Sequence, residues 1–318
     1  KSTQKMETFM SIELKKLTLE DSIKMQKYVN LRPIYVSERQ FVNQFIWQEY
    51  YDTHFYCNDK FAMCTTGEKK KFFPMMPLCR IEDIPSVFAE IKDYWNLVLQ
   101  KPLTMYLIDQ IFLDTLKTIP GFEDDFEIIE DRDSFDYIYD ATKLKTLSGK
   151  AYHKKKNHLN SFLKNYDGRY EYHEISCRNM GEIIDFHNRW LLNRDYEDKH
   201  NSIRSEENGI HKIIENCSSV NCHIGGVSID GVLEAYSIGT YAPDIECAFI
   251  HIEKANINIA GIYNFINQQF LIHSFPDAKI VNREDDLGQE GLRKAKLSYQ
   301  PIRLEAKYHL YQRREGML

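Results

Sequence analysis

Residues 281–301, VNREDDLGQEGLRKAKLSYQP, hold four carboxylates, four basic side chains and two glycines three apart, closed by a proline. Groups of these types can take a proton, give one, or steady an anion. Helix making alone explains part of the run. Asp286-x-x-Gln289 reads as a capping-box-like start, and the early carboxylates with the later Lys294 and Lys296 suit the helix dipole. Pro301 stops the helix and holds Gln300 extended. Helix making does not explain Asn282, Arg283 and Glu284 at the end of an apolar strand. Nor does it explain Gly288 and Gly291 in a first turn, where each glycine costs roughly 1 kcal/mol against alanine. Bare backbone N–H groups there can meet an anion or a carbonyl. Strand ends that run into helices are also where α/β sites sit.

Two other stretches carry chemistry. HIEKAN (251–256) ends a strand before a helix. His251 and Glu253 fall on one face and Ile252 and Lys254 on the other, so the polar face meets either solvent or a cleft. LSGKAYHKKKNHLNSFLKNY is helical, with Ser148 as cap and an apolar stripe of Tyr152, Leu159, Phe162, Leu163 and Tyr166. Its Lys150, Lys154, Lys155 and Lys156 can contact RNA phosphates or an anionic headgroup, or form a solvated face. There is no P-loop, no G-x-G-x-x-G and no H-E-x-x-H. Gly226-Val-Ser228-Ile-Asp230 has Asp where a nucleophile elbow needs Gly. Cys222-His223 reads as core.

The elements that must position these groups repeat an order. The first half reads strand, helices, antiparallel strands (54–66 and 70–80), a helix from Ile84 with Pro85 in its first turn, strand 102–108, a helix ended by Pro120-Gly121, then FEIIE and FDYIYD as paired strands. The second half reads strand 169–176, two helices within 179–217, strands through 222–255, an amphipathic helix GIYNFINQQFLIHSF, strand AKIVN, the helix of the opening stretch and a last strand IRLEAKYHLYQ. This mixed order with antiparallel hairpins predicts α+β architecture in two similar domains and argues against a doubly wound parallel sheet. A charge switch marks the border: residues 121–140 hold nine carboxylates and one Arg, residues 141–166 seven Lys and no carboxylate. The expected domains are 1–140 and 141–318.

Composition sets the outer limits. The 318 residues are 43% hydrophobic with 20 Tyr and 18 Phe, enough for a substantial core. A net charge of −6 excludes a general nucleic-acid coat, DNA included, and leaves only local anion binding. Seven scattered cysteines without C-x-x-C suggest neither a zinc site nor a redox pair, and as free thiols they suit a reducing cytoplasm. No stretch approaches a membrane span and no signal peptide is visible, so the expected location is cytoplasmic, with peripheral contact to a membrane open. The first residue, Lys, points to a trimmed start.

AFIHIEKAN, then a helix, then IVNREDDLGQEGLRKAKLSYQP and a strand with Lys307-Tyr308 resemble an uncharacterised bacterial family. That family shares its domain with the C-terminal, catalytic part of phosphatidylglycerol lysyltransferases. LSGKAYHKKKNHLNSF is similar to it as well. The resemblance covers residues 140–310; over 1–139 it rests on element order. It implies two tandem GNAT-like (N-acyltransferase) domains akin to the Fem peptidyltransferases, the first degenerate and lacking an NREDD-like segment. It also implies a cleft where the strands ending in HIEKA and KIVNRE splay apart. Acetyl-CoA enzymes of this fold cradle pyrophosphate on a Gln/Arg-x-x-Gly-x-Gly/Ala loop; here the nearest match is Asn258-Ile-Ala-Gly261-Ile-Tyr. Asn stands for Gln/Arg and Tyr for the small residue, which favours an aminoacyl-tRNA donor over acyl-CoA.

The expected activity is transfer of an aminoacyl group from tRNA to an amine or hydroxyl on a lipid headgroup, peptide or small molecule. Acyl-CoA-dependent N-acylation and a non-catalytic ligand- or RNA-binding module are the alternatives. Glu253 or Asp285 would act as base and Tyr299 would give a proton to the leaving hydroxyl. Arg283, or N–H groups around Gly288, would steady an oxyanion or phosphate. His251, Lys254, Asn282, Glu284, Gly291, Arg293 and Lys296 complete the expected substrate-binding set. No metal is expected.

Overall fold

A computed structural model describes residues 12–68, 71–192 and 202–313. The chain gathers into two compact units. The first takes the described residues up to Ile34, then Trp47–Arg132, and those from Ala306 onward; the second takes Tyr35–Ile46 and Asp133–Glu305. The border therefore lies before residue 133 rather than at 140, and each unit borrows a segment from the far end of the chain. The charge switch misplaced it because Asp136–Asp140 is a strand of the second unit, while Lys307–Gln312 completes a sheet of the first.

The first unit holds two antiparallel sheets. One has four strands, Lys15–Lys16, His54–Cys57, Ala62–Glu68 and Lys71–Pro74; in the other, Lys307–Gln312 lies between Thr104–Asp109 and Phe126–Glu130. FEIIE thus pairs with the C-terminal strand and not with FDYIYD. Sequence proximity suggested the hairpin, but both runs are apolar enough to enter different sheets. Asp109 caps helix Gln110–Lys117 through Phe112 N–H at 2.8 Å and also meets buried Arg32 at 2.7 Å.

The second unit is built on a seven-stranded sheet. Its strands are β1 (Asp136–Asp140), β2 (Tyr170–Glu174), β3 (His223–Ile229), β4 (Val232–Ala242), β5 (Cys247–Ala255), β6 (Ile280–Asn282) and β7 (Arg303–Glu305). Their order is β7-β1-β6-β5-β4-β3-β2, and only β5 and β6 run parallel. Helices α1 (Ala141–Thr146), α2 (His153–Asn165), α3 (Gly181–Leu192), α4 (Ser202–Glu215), α5 (Ile262–Ser274) and α6 (Glu290–Leu297) belong to it, as does most of the earlier helix Phe41–Trp47. The apolar stripe expected on α2 enters the core: the Phe162 ring lies 4.8 Å from the Phe265 ring of α5 and 5.5 Å from that of Tyr170, tilted against both. Burying each such ring contributes about 1.5–3 kcal/mol. Ser148 does not cap α2. It accepts from Thr146 instead, and a 3-10 turn at Lys150–Tyr152 leads into the helix.

Strand β5 is buried along nearly its whole length, on both faces. One face carries α5; on the other, Lys254 Nζ lies 4.1 Å from the Trp190 ring of α3. The polar face of HIEKAN therefore does not look into open solvent. Cys217 is disulfide-bonded, so the reading of seven free thiols does not hold. Among the described residues no helix is long and apolar enough to cross a membrane, and no cluster of three or more metal-ligating side chains occurs.

Candidate active site

The parallel ladder of β5 and β6 is three pairs long and ends at Phe249 with Asn282. Beyond it the chain stays with β1, where Arg283 N–H donates to Tyr137 O at 3.0 Å and Tyr137 N–H to Glu284 O at 3.1 Å. Strand β5 continues on the other side, so the two strands part at His251. A β-bulge sits at the same level: Ile238 pairs with Ile252 and Gly239 with Ile250, leaving His251 unpaired in the ladder. Gly239 is needed there, since a Cβ would come 2.7 Å from Phe249 O. Bulges next to sites re-aim side chains. Here the bulge turns His251 toward Glu284 while Glu253 stands over α5.

Arg283 reaches across the gap. Its Nη2 donates to Glu253 Oε1 at 2.8 Å, and Asn267 Nδ2 of α5 donates to Glu253 Oε2 at 3.0 Å. The guanidinium lies 4.9 Å from the centre of the Tyr299 ring and 5.8 Å from that of Tyr139. Nη1 of Arg283 is buried with no hydrogen-bond partner among the described residues. Burial works against the Arg283 charge, and Glu253 outweighs it, so the guanidinium stays firmly charged. Tyr299 is buried; its hydroxyl accepts from Asn264 Nδ2 at 2.7 Å, and its pKa is pushed up to about 12, first by burial. It is therefore a proton donor at neutral pH. Lys155 of α2 completes the group: its Nζ lies 4.0 Å from the Tyr299 ring centre. Burial and then the nearby Arg283 charge bring Lys155 down to about 8.

The other expected residues divide by what they touch. His251 spends both ring nitrogens, on Glu284 Oε1 at 2.7 Å and Thr240 Oγ1 at 2.9 Å. Glu284 also accepts from Asn43, and its φ of +57° is held by Asn282 Oδ1 on its N–H at 2.6 Å. Asn282 is fully buried and donates to Asp136 and to Tyr35 O. These three residues tie the splayed end together. Lys254 lies on the opposite face, 2.7 Å from Glu206 and 4.1 Å above the Trp190 ring, apart from Glu253.

Helix α6 begins at Glu290 behind Gln289, three residues later than the capping-box reading placed it. Asp286 is not its cap. It accepts from Gly288 N–H at 3.0 Å, from Tyr137 Oη at 2.5 Å, and from Arg293 at 2.8 and 2.9 Å. Arg293 also meets Asp133, so this residue is spent on structure. Gly288 has φ +67°, and a Cβ there would sit 2.6 Å from Asp133 Oδ2; Gly291 faces open space. Lys296 does not serve the helix dipole but turns inward, donating to Arg283 O at 2.6 Å and to Asp285 O. Burial brings it down to about 8. The Asp285 carboxylate acts on Lys296, whose charge it favours. Gln300 is left-handed (φ +55°) rather than extended, because its N–H closes the helix end on Leu297 O. Lys150, Lys154 and Lys156 are exposed, and only Lys155 of the four turns inward.

Asn264 and Asn267 were missed in the sequence. Their spacing of three puts them on one face of α5 within an otherwise apolar pattern, which is the signal that would have found them.

Three N–H groups of the loop before α5 are taken within the loop. Asn258 N–H is taken by Asn256 Oδ1 at 3.0 Å, Ile259 N–H by Asn256 O and Ile262 N–H by Ile259 O. A Cβ on Gly261 would meet His158 O at 2.3 Å, so the helix start abuts the backbone of α2.

Mixed, largely antiparallel sheets in tandem, with a polar group where two parallel strands splay, define a GNAT-like fold. The phosphatidylglycerol lysyltransferase C-terminal family matches residues 29–311, and the chain belongs to that family. A conserved protein of unknown function from Bacteroides thetaiotaomicron superposes with a TM-score of 0.86 at 28% identity, covering 95% of this chain and 100% of that one. L-PGS from Bacillus licheniformis gives 0.64 at 13% identity over 92% of both chains. FemX gives 0.60 at 8% over 96% and 98%. An uncharacterised protein of Mycoplasmoides gallisepticum is 28% identical over 179 residues, and this chain spans only 56% of its length.

Proposed function

We propose that this protein transfers an aminoacyl group from tRNA to an amine or hydroxyl acceptor, with Glu253, Arg283, Tyr299 and Asn264 as the reacting site. The observation that carries the reading is the Tyr299 hydroxyl. It is held protonated by burial, and its oxygen accepts from Asn264, so its own hydrogen is free to point at a leaving oxygen. In the proposed step the acceptor attacks the ester carbonyl, the ester C–O bond breaks, and Tyr299 gives its proton to the departing ribose oxygen. Glu253 takes the acceptor's proton; each of its oxygens holds one donor and keeps a free lone pair. The net proton passes from acceptor to leaving group. Arg283 holds Glu253 in place and ionised. The family match and the loop before α5, whose N–H groups are taken within it, favour an aminoacyl ester over acyl-CoA as donor. A lipid headgroup is one acceptor of this class, and contact with a membrane surface would then be peripheral.

Protein incubated with tRNA carrying a labelled amino acid, and separately with lipid and peptide acceptors, should move label to one acceptor class. Tyr299→Phe should slow transfer about 100-fold while leaving donor binding intact. No label moved from any donor, with salt-sensitive RNA binding retained, would instead make the chain a binding module.

A further inference from the structure

The α3 face of the second unit's sheet carries a cavity that the transfer step does not use. The β3–β4 ladder shifts register between Leu233 and Ala235, so Glu234 sits at a bulge, outside the pairing. Such irregularities re-aim side chains. Arg189 of α3 satisfies the bulge, its Nη2 donating to Leu233 O at 2.7 Å. Asn256 holds Glu234 twice: its N–H donates to Glu234 O at 2.9 Å and its Nδ2 to Glu234 Oε2 at 2.9 Å. Beside them opens a cavity of about 170 Å³, walled by Phe186, Arg189 and Trp190 of α3, by Glu234, and by the turn from Asn256 to Asn258. That is the size of cavity that takes a benzene-sized molecule. The Glu234 carboxylate is half-buried, and its hydrogen-bond partner among the described residues is the neutral Asn256 amide. Oε1 therefore keeps its capacity to accept. Two cations stand nearby, and neither pairs with it. Arg189 serves the bulge carbonyl, and Lys254 meets Glu206 at 2.7 Å above the Trp190 ring. A carboxylate held by a neutral donor, beside aromatic rings and partly out of water, favours an organic cation.

We infer that this cavity binds a small organic amine, its ammonium on Glu234 Oε1 and its alkyl chain against Phe186 and Trp190. A simple anion would meet the Glu234 carboxylate, and a neutral alcohol would leave that charge without a counterion. Arg189 lines the same cavity, so an amine that also carries a carboxylate can meet both charges. Glu253 lies on the other face of the sheet, bonded to Asn267 of α5, so an amine bound here is not the reacting one. The inference needs only binding and does not rest on the transfer reading.

The test is calorimetric titration of the full chain with n-butylammonium, n-butanol and butyrate at fixed ionic strength. The amine should bind saturably, and the alcohol and the acid about tenfold more weakly or not at all. Glu234→Gln keeps the Asn256 bond but removes the charge, and should weaken the amine about tenfold. Glu174→Gln, at an exposed carboxylate of β2, should not. Ethanolamine, cadaverine and L-lysine then separate the sources: the tightest of them marks a lipid headgroup, a polyamine or an amino acid, and each supports the site. Circular dichroism melts check that the variants fold; Glu234→Asp, one methylene shorter, should weaken binding too and serves if the glutamine variant does not fold. The alcohol binding as tightly as the amine, no saturable amine binding, or the two glutamine variants behaving alike would overturn the site. Amine binding with no aminoacyl transfer would remove the transfer reading and leave this site standing; transfer without amine binding would do the reverse.

Discussion

Nη2 of Arg283 sits 2.8 Å from Oε1 of Glu253, joining the residue after β6 to the far end of β5 just past the point where the two strands separate. Both side chains are mostly buried, 13% and 11% exposed. Glu253→Gln keeps the shape and the Asn267 contact but leaves Arg283 without its counterion. It should lower stability by about 2–4 kcal/mol, less than for a wholly sealed pair. It should also cut aminoacyl transfer about 100-fold if Glu253 is the base. Urea unfolding reads the first effect and label transfer the second. Lost stability with unchanged transfer would make Glu253 a positioning residue only.

The two glycines of the opening run should separate cleanly. Gly288→Ala must place a methyl in a left-handed turn, 2.6 Å from Asp133 Oδ2, and should cost about 2 kcal/mol. Gly291→Ala meets nothing within 4 Å and lies in the first turn of α6, so it should stabilise by about 0.5–1 kcal/mol. Thermal melts distinguish the signs. If Gly291→Ala also abolishes transfer, the glycine serves a ligand after all.

Much of this site was legible because strand ends announce themselves. The HIEKA and KIVNRE segments stand out as polar groups closing apolar runs, and the structure joins them as Glu253–Arg283 and His251–Glu284. What sequence could not give is which polar groups neutralise each other. Asp286 and Arg293 look as capable as Glu253 and Arg283 on paper, yet they are spent on each other, on Tyr137 and on Asp133. The bulge at His251 is invisible too, since Gly239, which permits it, lies on the neighbouring strand. The exchange of segments between units also escaped notice, because an apolar run such as FEIIE does not say which distant strand it will pair with.

Asp286 should govern the acid limb of stability. Burial opposes its charge, but Arg293, Tyr137 and the Gly288 N–H outweigh it and bring its pKa from 3.8 down to about 2. A depressed carboxylate contributes stability above its unfolded value, and that stability is lost as pH falls from about 4 through 2. The stake is roughly 2 kcal/mol. Asp286→Asn should therefore be less stable than the parent at pH 6, with the difference shrinking toward pH 2. A gap that stays constant with pH would show that shape rather than charge holds this turn.

Lys155 should act in the opposite direction on the alkaline side. Its ordinary value of 10.5 is brought down to about 8 by burial, then by the charges of Arg283 and Lys154. Below pH 8 folded and unfolded chains both carry the proton, and the folded chain bears the cost of a charge held half out of water. Between pH 8 and 10.5 the unfolded chain still binds the proton while the folded chain releases it, so stability rises with pH. Lys296, brought to about 8 by burial, adds a contribution of the same sign. Because Lys155 is partly exposed, its share is smaller than the full shift would suggest. Lys155→Met should be more stable than the parent near pH 7.5, and the difference should shrink toward pH 9.5, a comparison in which the cysteine and tyrosine ionisations shared by both chains cancel. Urea midpoints at pH 7.5, 8.5 and 9.5 measure this. Parallel curves for parent and variant would mean that the Lys155 ammonium sits in water.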